Sequence, residues 1–500
     1  MNRILISAAH KSSGKTTLSI GLCAALSARR LKVQPFKKGP DYIDPMWLGL
    51  ASGRACHNLD FFLTPNEEIL ATFATRAQGA DIALIEGNKG LYDGLDLDGS
   101  NSNAALAKLL GAPVILVIDA RGMTRGVAPL ILGYQAFDRD IRIAGVILNQ
   151  LGGARHERKL RAVIEHYTDV PVIGAVHHDD RLAIVERHLG LMPSNEASAA
   201  LEKVDIIATA IVAQVDLDRL IAIAASAVPL SVLAIPEGAL SRTSPANEKR
   251  DSKEIPIKGA LSQYSPASGR GDSERVPVKI GIARDAAFAF YYPADLESLR
   301  LHGAELVPFD TLQDVHLPAV DGLIIGGGFP EVHMQALEAN HSLRTGIQRA
   351  IEGGMPVYAE CGGLMYLSRS LSWKNRRCEM VGAIPADTVM HDRPQGRGYV
   401  KLRETGKLPW PEIAGKDAPL EIRAHEFHYS TLENVAENLE YAYEVTRGTG
   451  IDGRHDGLVY RNVVACYTHM RDTGGNHWTA RFVEFVRRLR ATRRAAQAAG

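Results

Sequence analysis

Cysteine is scarce in this 500-residue chain: there are five, and no two stand in a C-x-x-C pair. That excludes a disulfide framework and a structural zinc site, and it points to a reducing, cytoplasmic setting. No apolar run reaches the roughly 18 residues a membrane helix needs, so no membrane partner is expected. The N-terminus reads as a strand and not as a signal peptide. Net charge is also missing: 57 Lys+Arg balance 57 Asp+Glu, so no global field recruits nucleic acid or an anionic membrane. There is no fixed-period repeat. What is left is a hydrophobic fraction of 46%, ordinary for a globular protein, and a length that calls for about two to four domains.

The stretch that organises the chain is Ile4-Leu-Ile-Ser-Ala-Ala-His-Lys-Ser12-Ser13-Gly14-Lys15-Thr16-Thr17. A β-branched apolar run enters a loop of small residues. Leu18, Ile20, Leu22 and Leu26 then follow at helical spacing. Strand, loop and helix are the context in which Gly-Lys-Thr binds phosphate. Loop and helix N–H groups face the anion, Lys15 adds a charge near the β- and γ-phosphates, and the Thr16 hydroxyl is placed to ligate Mg²⁺. Ser12 to Thr17 form the candidate ATP loop. Ala9 stands where a P-loop has its first glycine, which makes this a variant loop.

From Met1 to about Pro236 apolar strands alternate with amphipathic helices. Strands are expected at 3–7, 32–37, 82–86, 114–118, 143–148, 172–175 and 232–235. Such spacing implies βαβ units and a doubly wound, mostly parallel sheet, whose ligands bind beyond the C-terminal strand ends. Residues 241–276 break the pattern with Ser-Pro pairs and few large apolar residues, and read as a flexible linker. A second α/β pattern begins near Val278. It has strands at 279–283, 322–325 and 356–359, a helix at 295–302 and a closing helix at 478–494. The expected domains are therefore 1–240, the linker 241–276, and 277–500.

Two carboxylate motifs follow strand ends in the first domain. Gly39-Pro-Asp41-Tyr42-Ile43-Asp44-Pro45 suits metal and substrate contacts, or else a turn with capping aspartates. Glu86 closes the buried strand 82–86, where an acid is costly without a cation or donors, so Glu86 is a candidate Mg²⁺ ligand. Asp93 follows in a Gly-flanked loop and is placed to face substrate. Asn149, at a further strand end, can donate and accept as an adenine edge requires, or can be a turn residue.

The second domain offers a thiol. Tyr358-Ala-Glu-Cys361-Gly362-Gly363 runs from strand through a tight turn into a helix start. A cysteine at such an elbow is expected to be exposed, with helix N–H groups beside it and amides nearby for an oxyanion. The Gly326-Gly327-Gly328 run is a source for that oxyanion hole together with Gly362. His469, after the strand 463–467, is a candidate base. Cys23, Cys56, Cys378 and Cys466 read as structural.

Taken together, Ser12–Thr17, Gly39–Pro45, Glu86-Gly-x-x-Gly-Leu-Tyr-Asp-Gly94, Ala283–Phe288, Tyr291-Tyr-Pro293, Gly326–Glu331 and Ala359–Tyr366 resemble the cobyrinic acid a,c-diamide synthase family over nearly the whole chain. The resemblance implies a domain similar to dethiobiotin synthetase joined to a class I glutamine amidotransferase domain. It also implies that two acetates of a corrin-type ring are activated by ATP as acyl phosphates and amidated with ammonia from glutamine. Carried over, Lys15 and Thr16 hold phosphate and Mg²⁺. Asp41 and Glu86 bind Mg²⁺-ATP. Tyr42, Ile43, Asp44 and Asp93 contact the tetrapyrrole. Cys361 forms a glutamyl thioester with His469 as base. The expected partners are cobyrinic acid or another tetrapyrrole carboxylate, and glutamine. Oligomeric state stays open, a homodimer included.

The chain departs from the family pattern at three places. Arg471 stands where class I amidotransferases carry a Glu two residues after the histidine. Asn88-Lys89 occupies commonly apolar positions, which makes Lys89 either a substrate-side cation or a solvated loop residue. The polar run 95–103 prolongs that loop. The last two features resemble relatives thought to amidate sirohaem, so sirohaem is the alternative substrate. A regulatory P-loop ATPase with a vestigial amidase domain is the alternative from another class.

Overall fold

The computed structural model describes residues 1–187, 190–195, 199–229, 276–413 and 419–499. The strand expected at 232–235, and all of 241–276 except Val276, lie outside the described residues. Two compact units divide the chain, Met1–Thr243 and Ser244–Gly500.

In the first unit, apolar β-branched runs make strands buried on both faces, as a parallel sheet requires. They are β1 (Asn2–Ala8), β2 (Val33–Lys38), β3 (His57–Leu59), β4 (Ile82–Glu86), β5 (Val114–Asp119), β6 (Ile143–Leu151) and β7 (Val172–His177). The sheet order is β3-β2-β4-β1-β5-β6-β7, and every pairing is parallel. β4 lies between β2 and β1, with Glu86 in register with Lys37 on one side and Ile6 on the other. Their C-terminal ends, the P-loop and the helices α1 (Lys15–Ala28) and α2 (Ile43–Ser52) therefore converge on one spot.

Gly14 starts α1 at φ 86°, a left-handed conformation in which a Cβ would run into the Asn149 amide. Only glycine closes the loop there.

The second unit has a nine-stranded mixed sheet among the described residues. Its parallel half runs Ala304–Phe309, Val278–Ala283, Gly322–Ile325, Val357–Glu360 and Val463–Cys466. An antiparallel half continues it through His455–Tyr460, Glu440–Arg447, Gly396–Glu404 and Glu421–His428. The parallel half is the α/β pattern of the sequence. The antiparallel extension was not expected. Its strands come without intervening helices and alternate buried with open positions, the mark of a sheet covered differently on its two faces. Val357–Glu360 sits mid-sheet and hands the chain to Cys361 and the short helix Gly362–Leu367.

Candidate active sites

The first site forms at the C-terminal ends of β2 and β4. Glu86 is fully buried; its Oε1 accepts from the Thr16 hydroxyl at 2.7 Å and from Lys37 Nζ at 2.8 Å. Lys37 also reaches Asp44 Oδ2 at 2.5 Å, and Thr16 Oγ1 lies 3.2 Å from that same oxygen. Burial alone would lower the Lys37 pKa, but Asp44 and Glu86 carry it well above its ordinary value. Burial raises that of Glu86 against the pull of Lys37. Lys15, buried beside them, is pushed down to about 8, first by desolvation.

These placements bear on two of the expectations. Asp41 is not the carboxylate that meets Thr16. Its Oδ1 accepts from the backbone N–H groups of Ile43 and Asp44 at 2.9 and 3.1 Å, covering donors that the start of α2 leaves without partners. Burial, then the neighbouring charge of Asp44, lifts the Asp41 carboxyl to about 7. Asp44 takes the inner place instead. Asn149 is not at the very end of its strand, because β6 runs on to Leu151; its Nδ2 donates to the Ser13 carbonyl at 2.9 Å, which braces the P-loop. In the loop itself Ser12 is exposed at φ 65°, Ser13 is buried with its hydroxyl on the His10 carbonyl, and Thr17 lies in the first turn of α1.

Tyr42 and Ile43 are buried, whereas Asp93 and Lys89 are exposed. Asp93 Oδ2 accepts from Gly90 N at 2.8 Å, and its charge bears on Lys15. Lys89 adopts φ 42° near Lys38, whose Nζ contacts Asn88 Oδ1 at 3.2 Å. Asn103 ties this loop down: its Oδ1 accepts from Asn88 N at 3.1 Å and its Nδ2 donates to Gly90 O at 2.7 Å.

The residues fit magnesium. Glu86 Oε2 is buried with no hydrogen-bond partner, directly beside the Thr16 hydroxyl and Asp44. Among the described residues no group of three or more His, Cys, Asp or Glu side chains forms a cage. A small set of oxygens suits an ion that keeps waters and phosphate oxygens in its shell.

The second site is built on the elbow. Cys361 holds φ 46° and ψ −100°, a conformation that costs a non-glycine residue about 1–3 kcal/mol and that recurs at functional sites. Its amide donates to the Cys466 carbonyl at 2.7 Å, which locks the turn to the next strand. Cys361 is buried at 6% exposure and not exposed as expected; the neighbouring Gly362 packs against Gly328 and Pro330. His469 stands beside Cys361 and Glu360; burial would lower its pKa, yet these two neighbours push it up to about 10. Asp456 fixes the segment before His469, accepting from Tyr467 N at 3.0 Å and Thr468 N at 2.9 Å.

Gly327 and Gly328 pair with Phe288–Phe290 and stand against His469 and Gly362. At Gly328 a Cβ would overlap the Ala287 carbonyl, so glycine is required by close approach. Gly326 N is already taken by the Tyr291 hydroxyl at 2.9 Å. Gly362 N, in the first turn of its helix, has no acceptor within that helix.

Lys37, Glu360 and Asp456 escaped the sequence reading. Each is an ionisable residue on or next to a buried strand, the same signal that singled out Glu86.

One unit thus carries a P-loop, and the other an elbow cysteine with a histidine nearby, in the manner of a two-part nucleotide-dependent amidotransferase. Comparison agrees part by part: residues 4–191 match the CobQ/CobB/MinD/ParA nucleotide binding domain, and residues 279–475 the CobB/CobQ-like glutamine amidotransferase domain. The cobyrinate a,c-diamide synthase of Magnetococcus marinus is 47% identical over 97% of both chains. Those of Methanosarcina acetivorans and Archaeoglobus fulgidus are 42% and 40% identical, over 98% and 96% of this chain and 96% and 97% of theirs. The chain belongs to the cobyrinate a,c-diamide synthase family, a family of glutamine-dependent amidating ligases. Among solved structures, PurLQS from Thermotoga maritima overlays 43% of this chain and 99% of its own at 14% identity, with a TM-score of 0.33, a likeness too slight to build on.

Proposed function

We propose that this chain converts the a and c acetate carboxylates of cobyrinic acid to amides, spending ATP and glutamine. The observation that carries the reading is the pairing of the Thr16–Glu86–Asp44–Lys37 cluster with the Cys361–His469 pair in a chain that matches its named relatives from end to end. The relatives named above all carry the cobyrinate name, which puts cobyrinic acid ahead of sirohaem. The intact cysteine–histidine pair leaves a vestigial amidase domain without an observation in its favour.

Residues 1–240 activate the acid in this account. A carboxylate oxygen attacks the γ-phosphorus, ADP departs, and an acyl phosphate is left. Lys15 and the loop N–H groups of 12–17 hold the phosphates. Magnesium, when bound, neutralises charge on the β- and γ-phosphates, and Thr16, Glu86 and Asp44 are the residues that would hold it. Lys37, shared by both carboxylates, holds them in place. Tyr42, Ile43, Asp93 and Lys89 remain substrate candidates; of these Asp93 and Lys89 have the exposure for direct contact.

Residues 277–500 release ammonia, with 241–276 joining the two parts. His469 takes the Cys361 proton, the sulfur attacks the glutamine amide carbon, and His469 returns the proton to the departing ammonia. Gly328 and Gly362 N–H groups, beside Gly327, are the candidate oxyanion donors. Water then hydrolyses the thioester to glutamate. Ammonia attacks the acyl phosphate, and inorganic phosphate leaves with the original carboxylate oxygen.

That last step gives the test. With both acetates labelled in ¹⁸O, each amide formed is expected to send one label into inorganic phosphate, read by mass spectrometry. Label found in AMP, or none in phosphate, would contradict the acyl phosphate.

A further inference from the structure

The ordinary third member of a class I site is absent here, since Arg471 stands two residues after His469. Its guanidinium lies over the Tyr292 ring, 5.7 Å from the centroid. A carboxylate nonetheless reaches the histidine from another direction. Glu360, the residue immediately before the nucleophile, is 7% exposed, and its Oε2 lies 3.5 Å from His469 Nδ1. Its Oε1 is held from two sides, accepting from the Tyr358 hydroxyl at 2.5 Å and from Met470 N at 2.9 Å. The side chain is thus fixed to the strand that carries the cysteine and to the segment that carries the histidine.

The other groups around the imidazole do not supply this charge. His425 stacks on His469 with centroids 5.0 Å apart, and burial, then the charge of His469, drives its own pKa well below the usual range. It is therefore neutral. The Tyr292 hydroxyl lies 3.4 Å from His425 Nδ1, behind the stack. Asp295 is taken up by Asp472 N at 3.1 Å and Trp478 Nε1 at 3.1 Å.

Resting on the amidotransferase reading above, we propose that Glu360 is the carboxylate of a rearranged Cys361–His469–Glu360 triad, a positioning residue that orients the imidazole through Nδ1 and stabilises its protonated form. An acceptor at Nδ1 selects the tautomer whose Nε2 is available to the thiol, and a negative charge there favours the imidazolium that must later protonate ammonia. One residue thereby fixes both partners, because nucleophile and orienting group are adjacent in sequence.

The test is the glutaminase pH profile of Glu360→Gln in the full-length protein. The amide keeps size and an acceptor but removes the charge, so the His469 pKa falls and the imidazolium is lost at lower pH. The expected result is a kcat for glutamine hydrolysis about ten- to a hundredfold lower with KM nearly unchanged. The alkaline limb should move down by about one pH unit or more, and Glu360→Asp should recover part of both. Amidation with free ammonia at the other site should persist, which shows the variant is folded. Tyr358→Phe removes a bond to Oε1 while keeping the charge, and its alkaline limb should stay in place. A Glu360→Gln profile that superimposes on the wild type, or an equal shift in Tyr358→Phe, would overturn the assignment. Glutaminase activity that survives Cys361→Ser would instead remove the amidotransferase reading, whatever Glu360→Gln does.

Discussion

Cys361→Ala is expected to abolish glutamine-dependent amidation, by at least about a thousandfold, while amidation driven by free ammonia at high pH survives. The reasoning is geometric. Cys361 is the only cysteine placed at a strand-to-helix elbow with a histidine beside it; Cys23, Cys56, Cys378 and Cys466 are buried without such surroundings. Removing the sulfur deletes the group that bonds to the glutamine carbon, so no neighbouring residue can substitute. In the proposed mechanism the acyl phosphate is formed by the other unit and is indifferent to the source of ammonia. Parallel assays with glutamine and with ammonium salt check both halves. Loss of both activities would show that the two sites are not independent.

Glu86→Gln is expected to produce the opposite pattern. Synthesis should fall about a hundredfold or more with glutamine and ammonia alike, whereas Cys361 still reacts with glutamine. Glu86 is fully buried, and its Oε1 gathers Thr16 and Lys37 while Oε2 has no protein partner. The amide retains an acceptor for Thr16 but forfeits the charge that pairs with Lys37 and that a divalent cation needs. Raising magnesium should recover part of the rate, since a weakened ligand lowers the ion's affinity and not its chemistry. Steady-state rates across a magnesium series, with each nitrogen source, measure this. A variant that keeps wild-type synthesis would remove Glu86 from the site.

Much of this was legible in the chain, and the reason is locality. Ser12–Thr17, Glu86 and Cys361 sit within motifs whose chemistry depends on neighbours in sequence: a strand end, a glycine, a helix start. The parallel strands were equally plain, since runs such as Ile82–Ile85 are apolar throughout. What escaped depends on approach in space. Asp41 and Asp44 are three residues apart and alike in type; only the start of α2 decides that the first caps the helix and the second faces Thr16. Asn149 was read as either a base-recognition or a turn residue, and its contact with the Ser13 carbonyl is a tertiary one that no local pattern shows. The buried Cys361 sits at an elbow whose Gly362 meets Gly328 and Pro330, a contact about thirty residues distant in sequence. Glu360 was within reach, for a carboxylate ending a buried strand is the argument already made for Glu86. The antiparallel half of the second sheet needed attention to alternation after Gly396, where helices no longer separate the strands.

The most direct test of the central claim is product analysis after incubation of the full-length protein with cobyrinic acid, ATP, Mg²⁺ and glutamine, with sirohaem offered in parallel. Mass spectrometry of each tetrapyrrole should find a corrinoid carrying first one and then two replacements of hydroxyl by amine, with sirohaem unchanged. Diamidated sirohaem and untouched cobyrinic acid would contradict the substrate assignment, and no amidation of either would contradict the account as a whole.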